Sequence, residues 1–344
     1  MTKHHIFSDG HLKVHPRTKG CFEVTILLTN GFSLLSLASV TDVLGAVSLG
    51  NSKNQVRVRL LSVDGQAVQA RSHGHVLPDE RLDFTGSVGG NLSGSDAVVV
   101  CSGQKLNTQE GKAALKVVRW CRRASVPVCL MGAAVRVAAE TGQMTKGTDH
   151  WSRIPSNSES MPHVEFSNSI FVEDGNLVTC CGELGAMDFA LHWVSTCISP
   201  YIAGQIRNHL LVTSARSADR AQTCTVSDAY KGAPKPLQIA ISTMLESLEN
   251  LEEPLAMDNV AHNVGLSVRQ IERLFSRHLS TSPVKFYRAK QFERARNLIE
   301  DTNMSVTEIA LACGFSSFSA FGRGFRKQFG LSPARLRSVQ QPLT

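Results

Sequence analysis

The 344-residue sequence is short of several things, and each shortage closes off a class of protein. No apolar run approaches the ~18 residues of a membrane-spanning helix, so no membrane partner is expected. Residues 1–20 have no apolar core, which excludes a secretory signal there. They read as a disordered polar tail carrying His4, His5, His11 and His15. The nine cysteines are odd in number and include no C-x-x-C pair. That excludes a disulfide framework and a zinc knuckle, points to a reducing, cytoplasmic setting, and leaves no metal or other cofactor to assign. Cys180 and Cys181 are adjacent; a strand would hold them on opposite faces, and no chemistry is assigned to them.

Most of the chain also lacks net charge. Residues 254–344 hold thirteen Lys+Arg and six Asp+Glu, so this segment carries the whole excess of +7. A neutral body with a basic last quarter fits a partner that carries many phosphates.

What is present reads as two domains. Residues 21 to about 200 alternate between strands and helices. Strands are expected at 22–28, 56–63, 97–101 and 126–130, the last two as continuous apolar runs of the buried parallel kind. Helices are expected at 34–47 and 111–123, and a hairpin turns at Asp174-Gly175. Lys112, Lys116, Arg119, Arg122 and Arg123 fall on the outer, solvated face of the second helix. A helix over 202–212 closes this domain, which spans 21–213. The order predicts an α/β sandwich. Residues 214–236, with Ser217, Asp219, Gly232, Pro234 and Pro236, read as a linker, and residues 237–340 as an all-α domain.

The all-α domain contains a repeat. Val260-Ala261 and Gly265-Leu266-Ser267 recur 49 residues later as Ile309-Ala310 and Gly314-Phe315-Ser316. The offset then becomes 50, matching Ile271, Arg273 and Phe275 to Phe321, Arg323 and Phe325. Each copy has the logic of a helix-turn-helix unit: a short helix, a glycine turn, a polar cap and a second helix. Ser267-x-x-Gln270 and Ser305-x-x-Glu308 are capping-box patterns. In the first copy Val268, Ile271, Leu274 and Phe275 share one face, with Arg269 and Arg273 opposite. In the second, Phe318, Phe321, Phe325 and Phe329 share the inner face, with Arg323 and Lys327 outward. Arginines on such a helix suit guanine edges, while Lys285, Arg288, Arg326 and Lys327 suit phosphates. The partner expected is double-stranded DNA.

Over about 90 residues this segment resembles the AraC/XylS regulators. The resemblance rests on Pro283-x-x-Phe286-x-Arg288, Ala295, Ile309-Ala310, Gly314-Phe315-Ser316, Phe321-x-Arg323-x-Phe325 and Gly330-Leu331-Ser332-Pro333. It implies seven helices, one of them, 284–300, joining the two units. It also implies recognition positions at Arg269, Gln270, Glu272, Arg273, Phe318, Ser319 and Arg323. Two such helices would enter successive major grooves about 34 Å apart.

Residues 20–200 resemble the PfpI-type, class I glutamine-amidotransferase-like fold, a flavodoxin-like sheet. The resemblance rests on Leu28-x-x-Gly31-Phe32, Asp42, the 126–133 elbow and His150-Trp151, with weaker support from Gly182 and Asp188. Regulators of the AraC type fused to this domain form a subfamily. The resemblance implies a nucleophile two residues before the elbow glycine, which here is Leu130, a side chain that cannot attack. It therefore implies a retired enzyme pocket at Gly31, Asp42, Leu130, Met131, His150 and Trp151. Trp151 there would suit stacking on a cationic effector. The effector class implied is a small nitrogenous metabolite. A homodimer is also implied, with contact to RNA polymerase where the regulator is an activator. The alternative is an amidase- or peptidase-like enzyme that uses Cys129, one residue earlier, and carries an accessory DNA-binding domain.

Overall fold

The computed structural model describes residues 7–8, 11–12, 16, 20–50, 55–85, 89–222, 230, 232–249, 255–302 and 304–340. The expected disordered tail and the middle of the expected linker lie largely outside these residues. The chain divides into two compact units between Gln222 and Thr223.

The first unit is built on a seven-stranded sheet. Its strands are β1 (Cys21–Leu28), β2 (Gln55–Ser62), β3 (Glu80–Arg81), β4 (Ala97–Cys101), β5 (Val128–Met131), β6 (Phe171–Asp174) and β7 (Leu177–Cys180). They lie in the order β6-β7-β5-β4-β1-β2-β3, all parallel except β6, which turns back on β7 as a hairpin. Apolar runs form parallel strands here because both faces of the sheet are covered. In β4, Ala97, Val99 and Cys101 enter one core while Val98 and Val100 enter the other. In β5, Cys129 and Met131 face the first core and Val128 and Leu130 the second.

Helices α1 (Leu34–Gly45), α4 (Gly185–Cys197) and α5 (Pro200–His209) bury their apolar residues in the first core, and α2 (Thr108–Ala124) and α3 (Ala133–Glu140) in the second. Asn107 and Glu110 form a full capping box at the start of α2. Its Lys112, Lys116, Arg119 and Arg123 are exposed as expected, while Arg122 donates to the Asp174 carbonyl at 2.9 Å.

The expected linker does not begin at 214. Residues 214–222 belong to the first unit and lie across it as a strap. Their polar side chains are polar because they are used: Arg216 grips Asp188, and Gln222 Nε2 donates to Thr148 Oγ1 and to the carbonyls of Asp149 and Ser169. Nor does the linker reach 236, since a helix begins at Lys235 with Pro236 in its first turn, where no backbone N–H is needed.

Among the described residues the second unit has seven helices: α6 (Lys235–Glu249), α7 (Met257–Asn263), α8 (Val268–Leu279), α9 (Pro283–Asp301), α10 (Val306–Ala312), α11 (Phe318–Phe329) and α12 (Pro333–Gln340). It has two small cores. One gathers Leu237, Ile241, Met244, Val260, Ile271 and Phe275; the other gathers Phe292, Ile299, Ile309, Phe315, Phe321 and Phe325. The long α9 contributes to both, through Phe286 and Phe292.

Candidate functional site

Two sites emerge, one in each unit. In the second unit, α7 and α8 meet at Gly265 (φ +67°), and α10 and α11 meet at Gly314 (φ +77°). These left-handed turns admit glycine without strain. Ser267 Oγ caps α8 by accepting from the Gln270 N–H, and Ser317 Oγ caps α11 by accepting from the Ala320 N–H. Burial of Ile271 and Phe275 in α8, and of Phe321 and Phe325 in α11, fixes which faces turn outward.

Arg269, Gln270, Glu272 and Arg273 are exposed on α8, and Ser319, Arg323, Arg326 and Lys327 on α11. Among the described residues Arg269, Arg273 and Arg323 enter no ion pair. The Gln270 carbonyl oxygen accepts from the Ser267 N–H at 2.8 Å, so only its amide nitrogen remains for a base. Lys285 is exposed at the start of α9. Arg288 is exposed too, but its guanidinium lies 4.9 Å from the Phe315 ring centre, a cation–π contact that ties it to the second core. Phe318 departs from expectation. It is not on the inner face but 53% exposed, its ring 6.3 Å from that of Phe321. It is the first residue of α11, one turn before the helix axis can carry it inward.

The first unit's site lies at the carboxyl ends of β1, β4, β5 and β7, where the strand order reverses and where parallel sheets hold ligands. A cleft open to solvent, about 440 Å³ with its mouth included, is lined by residues that include Gly31, Ser33, Ser36, Met131, Gly132 and His150. Arg71, Ser102, Arg153, Cys181 and Glu183 complete its polar wall. The Asn30-Gly31 turn is held in place by Glu110, whose Oε1 accepts from Asn30 N at 2.9 Å and Nδ2 at 3.1 Å. Glu183 accepts from Ser33 Oγ (2.8 Å) and Arg71 Nη2 (2.7 Å). Arg153 is buried, paired with the buried Asp149, and Asn157 donates to the same carboxylate. Burial first, and then the Arg153 guanidinium, hold the His150 imidazole below its usual value of 6.5.

Of the residues expected at this pocket, Gly31, Met131 and His150 meet there. Leu130 does not: it is 0% exposed, packed in the second core. Asp42 is an exposed carboxylate on α1, and Trp151 is 48% exposed outside the cavity wall, its ring 5.5 Å from that of His150. The elbow itself is displaced from where the sequence placed it. β5 runs on through Met131, and the sharp turn into α3 falls on Gly132 (φ +73°, ψ −146°). A Cβ there would come within 2.3 Å of the Ser102 carbonyl oxygen. The glycine taken as a marker two residues beyond the elbow is the elbow residue. The first N–H groups of α3 are occupied as well: Ala133 donates to the Gly103 carbonyl and Ala134 to Ser102 Oγ, both at 2.9 Å. Cys129 points into the first core, 3% exposed, and burial pushes its thiol well above the usual value.

Arg71, Arg153, Cys181 and Glu183 were missed from the sequence. Glu183 and Cys181 flank Gly182 at the end of a strand, a position that could have been read. Arg71 comes from the loop between short paired strands at 68–69 and 75–76, which has no local signature.

Known proteins match both halves. The DJ-1/PfpI family model matches residues 23–196, and a helix-turn-helix domain model matches residues 260–338. The HTH-type transcriptional regulator GbdR of Pseudomonas aeruginosa is 30% identical over 95% of this chain and 87% of its own length. GlxA of Rhizobium meliloti, another HTH-type transcriptional regulator, is 26% identical over 91% of this chain and 95% of its own. A solved AraC-type DNA-binding domain from Chromobacterium violaceum is 42% identical, covers 31% of this chain and 95% of its own, and superposes with a TM-score of 0.29. The chain belongs to the AraC-type helix-turn-helix transcriptional regulators that carry a DJ-1/PfpI domain.

Proposed function

We propose that this regulator reads DNA with Arg269 and Arg273 of α8 and Ser319 and Arg323 of α11, and that its first unit senses a small effector without turning it over. The observation that carries the DNA reading is the pair of capped helices with outward arginines free of ion pairs among the described residues. Such arginines suit bidentate contact with guanine O6 and N7. Lys285, Arg326 and Lys327 position the protein on phosphates.

The absence of turnover is supported by an elbow with no side chain, helix donors already engaged, and a Cys129 thiol held protonated in the core. The effector class that suits the cleft is a small nitrogenous metabolite with both charges. Glu183 is placed for an amine and Arg71 for a carboxylate, each able to exchange its present partner for the ligand. Among the described residues the wall holds no Phe, Tyr or Trp to form an aromatic cage for a quaternary amine.

The loop that supplies His150 is also bonded to the strap: the Trp151 N–H donates to Gln222 Oε1 at 2.7 Å. Gln222 is the last residue of the first unit, so a ligand that moves this loop pulls on the chain leading to the DNA-binding unit. We further infer that the protein acts in the cytoplasm as a homodimer through the first unit, one half-site per protomer, with contact to RNA polymerase where it activates.

Thermal shift of the full-length protein across amino acids and other zwitterions tests the sensing role. A stabilising ligand that loses its effect in Glu183→Gln and Arg71→Ala supports it. No stabilisation by any of them, together with turnover of a model amide that is lost in Cys129→Ser, supports the enzyme reading instead.

A further inference from the structure

One strongly charged face of the first unit takes no part in either site. On α2, Lys112, Lys116, Arg119 and Arg123 are all exposed. Their spacing of four, three and four residues gathers them within about 60° around the helix axis, in a stripe about 16 Å long. Among the described residues none of the four enters an ion pair. Arg57, Arg59, Arg71, Arg136, Arg153 and Arg216 of the same unit each meet a carboxylate. The one carboxylate of α2, Glu110, is buried and turned to Asn30 and Asn107. Lys116 Nζ lies 5.9 Å from the Phe84 ring centre, a contact that steadies its stem and leaves its charge in place. Asp83, beside Phe84, already accepts from the Thr85 N–H and hydroxyl. The pull of a helix C-terminus on cations reaches only the last turn, so it accounts for Arg123 but not for Lys112 or Lys116. Like charges three and four residues apart repel, so this face weakens its own helix. A face kept only for solubility is served better by mixed signs.

We propose that this stripe is a second DNA contact, a rail for the phosphate backbone of the duplex that α8 and α11 read. The proposal rests on that reading. Charge complementarity carries it: four unpaired cations over about 16 Å meet a strand that presents one phosphate per about 3.4 Å of axis. The flexible stems of lysine and arginine let their charged ends follow a curved backbone. Phosphates that neutralise the stripe also relieve the repulsion within α2. The two units share one chain, so once the second is seated on DNA the first stays at a high local concentration of the same phosphates. Contacts that are weak on their own form under that condition. They carry no sequence information, so the stripe adds affinity and salt dependence and leaves the recognised motif unchanged.

The test is lysine footprinting of the full-length protein with sulfo-NHS-acetate, with and without a long random-sequence duplex, read by peptide mass spectrometry. Random sequence suffices because phosphate contacts do not depend on it. Lys285 of α9 is the control for the second unit, and Lys146, exposed and off the stripe, is the reference. The expected result is acetylation of Lys112 and Lys116 slowed at least threefold by DNA, with a smaller change at Lys146. Protection of Lys285 without protection of Lys112 and Lys116 would overturn the proposal and leave the DNA reading standing. No protection of Lys285 would remove the DNA reading itself, and this proposal with it. In Lys112→Gln/Lys116→Gln/Arg119→Gln/Arg123→Gln the salt slope on the same duplex is expected to fall by about two to three. An unchanged slope would overturn the proposal, and loss of binding to phosphatidylserine vesicles or to RNA polymerase in that variant would then name the partner instead. The wild-type footprint decides this even if the variant fails to fold.

Discussion

Arg216 holds Asp188 with two nitrogens, Nε at 2.8 Å and Nη2 at 2.7 Å, and its own N–H donates to the same carboxylate at 2.8 Å. Asp188 is on α4 and Arg216 is on the strap, so this fork fastens the last segment of the first unit to its core. A carboxylate this buried depends on its partners, since removing one leaves a charge without water or counter-charge.

Arg216→Ala is accordingly expected to destabilise the first unit by about 2–3 kcal/mol, in the range of hydrogen bonds to charged groups. Trp120, Trp151 and Trp193 all lie in the first unit, so tryptophan fluorescence during denaturation reports on it alone. An unchanged midpoint would show that the strap is not fastened there.

Gly324 faces the ring of Phe292, and a Cβ on it would lie 2.4 Å from Cζ. That glycine lets α11 approach α9, and Gly324→Ala forces one of them aside at a cost of about 1–3 kcal/mol. Helical circular dichroism should show the second unit melting earlier, while the tryptophan transition stays in place. A shift of the tryptophan transition instead would contradict the assignment of this contact.

His150 gives a pH dependence of known sign. Its folded-state value is held below 6.5, so the unfolded chain binds the proton more readily. The stability this contributes is complete above the unfolded value and is lost as pH falls through it towards the folded one. Denaturation midpoints of the first unit are expected to fall below about pH 6.5, and to fall less in His150→Gln. Equal slopes in the two proteins would remove His150 as the cause.

On DNA, Arg269→Ala and Arg323→Ala should each cost about 1–3 kcal/mol on the specific site and relax base preference locally. Lys285→Ala should weaken binding to every sequence and lower the salt slope by roughly one. Anisotropy titrations on specific and random duplexes separate the two. An equal loss on both duplexes for Arg269→Ala would make it a phosphate contact.

The sheet was legible because runs such as Ala97–Cys101 have only one way to bury both sides, and the second unit because its repeat places glycine, cap and arginine at matching positions. The fate of the elbow was half legible. That no nucleophile stands there followed from Cys129-Leu130-Met131-Gly132, but which residue makes the turn depended on how far β5 extends, which periodicity does not reveal. Phe318 was misplaced for a similar reason: an apolar residue in phase with Phe321 and Phe325 looks inward, but at the first position of α11 the second core does not reach it. Arg71, Glu183 and Arg216 were invisible as a group, because long-range pairing between loops leaves no spacing in the chain.

Genome-wide DNA occupancy of the protein in its own cell, with the Arg269→Ala/Arg323→Ala double variant as the control, tests the central claim most directly. The account predicts discrete sites that share a sequence motif and vanish in the double variant. Diffuse occupancy, or sites that persist unchanged without the two arginines, would contradict it.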